Sequence, residues 1–99
     1  MEKILVKINK DIIQFLPDYL KNRETDIVNI TLALKNNDFE KVKQITHKIR
    51  GSAGLYGLME LSNIAKEMEE KSLEKNTAFL NSLLQKIIFY LANLEIVES

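Results

Sequence analysis

Only four residues of this 99-residue chain, Pro17 and three glycines, readily break a helix, and the glycines all fall between positions 51 and 57. The rest of the chain is free to run as long helices, and a sheet protein of this size would need more turn residues. Apolar residues recur three and four positions apart, the period of a helix with one buried face. Leu20, Ile27, Ile30, Thr31 and Leu34 form one such stripe; Leu58, Leu61, Ile64, Ala65 and Met68 form another; Leu80, Leu84, Ile87, Leu91 and Leu94 form a third. Pro17 suits the first turn of a helix, and Asn37 or Asp38, followed by Glu40, suits a helix start.

These signals predict helices at roughly 10–16, 17–36, 38–55, 58–73 and 76–97, preceded by an extended arm over residues 1–8 in which Ile4, Val6 and Ile8 alternate. Four long amphipathic helices with short polar connections predict an all-α fold, an antiparallel up-down-up-down four-helix bundle with a short extra N-terminal helix or arm. At 45% hydrophobic and 28% charged residues the chain has the composition of one compact domain spanning 1–99.

Composition also excludes. Fourteen basic residues balance fourteen acidic ones, so no global field draws the chain to nucleic acid or to an anionic membrane. Without cysteine there is neither a disulfide framework nor thiolate chemistry. The start, MEKILVKINK, lacks the apolar run of a signal peptide, and the longest apolar run, 87–92, is far too short to cross a membrane. The expectation is a soluble, cytoplasmic, monomeric protein that binds no metal.

The glycines surround the single histidine in HKIRGSAGLYG, residues 47–57. A glycine inside a helix costs about 1 kcal/mol relative to alanine, so three in seven residues require a reason. On a helical wheel Phe39, Val42, Ile45, Thr46, Ile49 and Ala53 gather within about 60° of Val42, whereas His47 lies about 140° away on a polar face with Glu40, Lys43, Gln44, Arg50, Gly51 and Gly54. Helical side chains lean toward the N-terminus, so a side chain at position 51 would lie over the ring. Gly51 leaves it bare, Gly54 extends the bare strip, and Gly57 suits the left-handed residue that closes a helix. Ser52 falls on another side, with a local bond back to a carbonyl.

A neutral imidazole is a good nucleophile near pH 7. Lys48 and Arg50 favour an anion upon it, a phosphoryl dianion beside one guanidinium gaining on the order of 2 kcal/mol in water-like surroundings. Accepting a phosphoryl group uses all of these features. A general-base enzyme fits less well, since no carboxylate stands at helical spacing to orient the ring, Glu40 being two turns away. A helical interaction module with an incidental histidine is the remaining alternative.

At these residues the sequence resembles the histidine-containing phosphotransfer (HPt) domain family, whose motif is a histidine, two residues, a lysine, then glycine and small residues, with a further glycine ten positions after the histidine. Here it reads His47, Lys48, Ile49, Arg50, Gly51, Ser52, Ala53, with Gly57 in the tenth place. The segments LPDYLKNRETDI, NNDFEKVKQITHKIRGSA and LMELSNIAKEMEE are similar to the family's second, third and fourth helical segments. The resemblance implies a phosphorelay carrier without an ATP site of its own. His47 would be the phosphoacceptor, Arg50 would stand in place of the family's lysine with Lys48 assisting, and Lys43 and Gln44 would belong to the docking face. The implied partners are response-regulator receiver domains, such as that of a hybrid histidine kinase, and these would bring the Mg²⁺.

The surface around the histidine is also polarised. Residues 38–50 carry four basic and two acidic side chains, net +2, and residues 58–74 carry two lysines and five glutamates, net −3. Such a face can orient a partner.

Overall fold

The computed structural model describes residues 3–99. Strand β1 (Ile4–Ile8) leads through a 3₁₀ turn (Ile13–Phe15) into helix α1 (Leu16–Lys35), followed by α2 (Phe39–Leu55), α3 (Met59–Lys71), a second 3₁₀ turn (Ser72–Glu74), α4 (Thr77–Asn93) and strand β2 (Leu94–Glu98). Each helix packs on the next and α4 closes back on α1, giving the four-helix bundle that the periodicity predicts. No helix among the described residues is long and apolar enough to cross a membrane.

Local chemistry sets most helix ends. Pro17 sits in the first turn of α1, where its missing N–H leaves no helical bond unmade. The helix ends on Asn37 in the left-handed region (φ 55°), with Asp38 N–H bonding to Ala33 C=O and Asn37 N–H to Leu34 C=O. Both orphan carbonyls are thereby satisfied. Asp38 then caps α2 by accepting from Lys41 N–H, and Asn76 caps α4 by accepting from Phe79 N–H. Gly57 (φ 79°) closes α2 as Asn37 closes α1, with Leu58 N–H bonding to Ala53 C=O, and Leu58 and Ala53 are both wholly buried.

The core runs the length of the bundle through Ile30, Leu34, Val42, Ile49, Leu61 and Met68, among others, all buried. Each such side chain contributes about 1.5–3 kcal/mol on leaving water. Thr46, the one polar member of the α2 stripe, is buried with its hydroxyl donating to Val42 C=O. Thr31, expected on the α1 stripe, is exposed, its hydroxyl donating to Ile27 C=O.

Two expectations are corrected. The short helix over 10–16 does not form: only a 3₁₀ turn precedes Leu16, held by Phe15 N–H donating to Ile12 C=O and Leu16 N–H donating to Ile13 C=O. The last helix stops at Asn93 rather than 97, because Leu94 turns to extended backbone (ψ 129°) and begins β2. Strands β1 and β2 run parallel, Ile4 paired with Leu94 and Ile8 with Glu98. The expected arm over 1–8 is thus a sheet strand from Ile4 onward, its first two residues lying outside the described residues. Its alternation survives: Ile4, Val6 and Ile8 face the bundle and Leu5 and Lys7 face out.

Candidate functional site

His47 lies near the middle of α2, on the side away from Val42, Thr46 and Ile49, and its side chain is 70% exposed. The ring is not alone, however. Its Nδ1 is 2.8 Å from Oε2 of Glu69 on α3, and the other carboxylate oxygen, Oε1, accepts from Arg50 Nη1 at 3.1 Å. Glu69 therefore stands between the histidine and the arginine and bonds both. Its side chain is only 14% exposed. Burial works to raise the Glu69 pKa, but hydrogen bonds from Arg50 and His47 and their charges overcome it, holding the carboxyl below its usual range.

An ionised carboxylate accepts and does not donate, so Nδ1 carries the proton in this contact. In the neutral ring the lone pair is then on Nε2, which makes no hydrogen bond among the described residues. No carboxylate stands at helical spacing from His47 on its own helix, and the one that meets the ring comes from α3. Glu69 comes from 22 residues further on. A sequence signal for it exists: on the α3 wheel Glu69 flanks the Leu61–Ala65–Met68 stripe at about 80° from Leu61, whereas Glu67 and Glu70 lie about 120° and 180° away.

Lys43, Gln44 and Lys48 join His47, Glu40 and Glu69 around a shallow depression of about 360 Å³. Arg50 is outside that lining and reaches the site through Glu69. Lys48 also acts on the opposite side: its charge, with that of Arg23, favours ionisation of Asp26 on α1, although burial prevails and raises the Asp26 pKa.

The glycines separate. Among the described residues a Cβ at Gly51 would meet nothing within 4 Å, so the space beside that position is open. One at Gly54 would come to 3.8 Å from Ser62 Oγ of α3. Gly54 thus faces the α2–α3 seam, and the bare strip expected to extend from His47 through Gly54 ends at Gly51. In the same seam Ser62 Oγ donates to Arg50 C=O at 2.7 Å.

Ser52 does bond back to a carbonyl, Lys48 C=O at 2.9 Å, but its role is wider than that. Tyr19 OH lies 2.8 Å from its oxygen and Arg23 Nη1 donates to it at 3.2 Å, while the Arg23 guanidinium stacks 4.2 Å over the Tyr19 ring and pairs with Asp26 at 2.9 Å. This network fixes α1 against α2 on the side opposite Glu69. The histidine helix is therefore held from both flanks, with its acceptor nitrogen unengaged.

Among the described residues no group of three or more His, Cys, Asp or Glu is placed to hold a metal ion. The arrangement as a whole is an exposed imidazole whose Nδ1 faces a carboxylate, which places the lone pair of the neutral ring on Nε2. Compared with known families, the chain matches the family model described as Hpt domain over residues 14–94. No curated protein and no solved structure matches it.

Proposed function

Because the chain belongs to the Hpt domain family, whose members carry phosphoryl groups on histidine in phosphorelay signalling, we propose that His47 accepts a phosphoryl group from the phosphoaspartate of one receiver domain and passes it to another. The observation that carries this reading is the Glu69 contact on Nδ1, which leaves Nε2 as the basic nitrogen of a ring that is 70% exposed.

The chemistry balances without a proton transfer. The Nε2 lone pair forms a bond to phosphorus as the bond from phosphorus to the aspartyl oxygen breaks, and the electron pair leaves with the aspartate as carboxylate. The ring gains a positive charge, shared with Nδ1–H, and Glu69 is already in place to stabilise it at 2.8 Å. Return transfer to a second receiver is the reverse step with a different carboxylate. The leaving group and the Mg²⁺ belong to the partner, so this chain acts as a carrier.

The receiver would dock over the depression at Lys43, Gln44 and Lys48, with the basic α2 and acidic α3 faces setting its orientation. Lys48 and Arg50 are the cations available to the phosphoryl group, and Gly51 keeps its approach open.

The test is incubation with a phosphorylated receiver domain, followed by His47→Gln under the same conditions. The expected label is acid-labile and alkali-stable, as for phosphohistidine, and absent from the variant. A variant that still took up label would remove His47 as the acceptor. If neither protein took up label yet both bound the receiver, the chain would be an interaction module instead.

A further inference from the structure

Glu69 uses its two oxygens on two different residues, Oε2 on His47 Nδ1 and Oε1 on Arg50 Nη1. Arg50 follows His47 by three positions, so the two heads emerge on one side of α2 and meet the same carboxylate. The partners differ in freedom. Glu69 is 14% exposed and its own backbone C=O is bound by Ser72 Oγ at 2.7 Å, whereas the Arg50 side chain is 42% exposed. If the Glu69–Arg50 contact breaks, the arginine is the side that moves.

Phosphorylation of Nε2 supplies a reason for it to break. Nδ1–H stays on Glu69 Oε2 and becomes a stronger donor as the ring turns cationic, which lowers the charge left on that carboxylate for Arg50. At the same time a phosphoryl dianion with three acceptor oxygens appears on the same helix face. A forked guanidinium binds such a group in two-point fashion and prefers it to a single oxygen of a shared monoanion. Arginine also has the length to serve both positions from one backbone site.

Resting on His47 as the acceptor, we infer that Arg50 changes partner with the state of the histidine: Glu69 holds it while the ring is bare, and the phosphoryl group takes it when the ring is loaded. In the bare state the guanidinium is neutralised at the rim of the acceptor site. In the loaded state it covers the phosphoryl group and leaves Glu69 to the imidazolium alone. A receiver therefore meets a different charge arrangement before and after loading, from a movement of one side chain.

The chain contains only two arginines, Arg23 and Arg50, so its side-chain Nε–H spectrum reduces to two resonances, with the 15% exposed Arg23 as an internal reference. The ¹⁵N-labelled chain would be loaded with phosphoramidate, whose phosphorus–nitrogen bond breaks with release of ammonia as Nε2 bonds to phosphorus, and loading followed by phosphorus NMR. The Arg50 resonance should shift on loading while that of Arg23 stays. In Glu69→Gln, whose amide oxygen still accepts from Nδ1–H but whose NH₂ repels the guanidinium, Arg50 should start at a different position and finish, once loaded, where the loaded wild type does. An Arg50 resonance unmoved by loading, or loaded forms that differ between wild type and Glu69→Gln, would overturn the exchange. The phosphorus resonance of Arg50→Gln should be displaced from that of the loaded wild type, and coincidence of the two would overturn it as well. Absence of any phosphohistidine signal in the wild type would instead remove the acceptor assignment on which the exchange rests.

Discussion

A Cβ at Gly51 meets no atom within 4 Å and one at Gly54 meets Ser62 Oγ at 3.8 Å, so alanine fits both sites, whereas a longer side chain has room only at the first. Gly51→Ala should raise stability by up to about 1 kcal/mol in urea unfolding, from helix propensity alone. Gly51→Gln should keep the fold but slow phosphoryl transfer from a receiver, since its side chain leans back over His47. An unchanged transfer rate in Gly51→Gln would remove shielding as the reason for glycine there. Gly57→Ala should cost about 1 kcal/mol, because φ is +79° and the added Cβ is strained whatever the space. The helix-closing role of Gly57 is legible in the sequence because it depends on residues within one turn. Glu69 is not legible in that way. It is one of three glutamates in MEEK and its neighbours; the α3 wheel sets it nearest the buried stripe, but only the packing of α3 on α2 brings it to the ring.

The four long helices are readable as elements because their signals are local: apolar residues at helical spacing, a proline in the first turn of α1, a cap at Asp38 and a left-handed residue at Gly57. The end of α4 is not. Leu91 and Leu94 stand at helical spacing, and nothing near them announces that residues 94–98 become a strand, because the reason is β1, some ninety residues away in the chain. The strands also lie at or beyond the limits of the family match, which ends at Leu94. They tie the two ends of the described chain together and lay Ile8 into the core. Ile8→Ala should therefore cost about 2–5 kcal/mol, as for other buried isoleucines. Leu5→Ala, at a position 66% exposed on the opposite face of the same strand, should change stability by less than about 0.5 kcal/mol. Equal costs for the two in urea unfolding would contradict the assignment of faces.

At the scale of the molecule, the displaced titrations set how the fold responds to pH. Glu69 is held below its ordinary value of 4.5. Its ionised form is favoured by folding, so its contribution is present above about pH 4.5 and is lost as pH falls through its folded-state value. Asp26 has the opposite sign. Burial raises its pKa, so folding favours the protonated acid, and acidification relieves a cost that neutral pH imposes. The acid limb is thus a contest in which Glu69 weakens the fold while Asp26 eases it, and Glu69→Gln should flatten the falling part. On the alkaline side the group is Tyr90, buried in α4, its hydroxyl without a hydrogen-bond partner among the described residues and its pKa pushed up to about 12 chiefly by burial. Folding favours the neutral phenol, so the stability it permits is intact below pH 10 and is lost as pH rises from 10 through about 12. Tyr90→Phe keeps the ring and removes both the ionisation and the unsatisfied hydroxyl. It should raise stability near pH 7 by about 1 kcal/mol, since a buried polar group without a partner costs about 1–3 kcal/mol. Its advantage over the wild type should then widen between pH 10 and 12. Urea unfolding of the two proteins across that range isolates Tyr90 from the other groups that titrate there, because those are common to both. Parallel curves would show that the phenol is not the group that burial holds neutral, and a loss of stability near pH 7 would show that its hydroxyl has a partner after all.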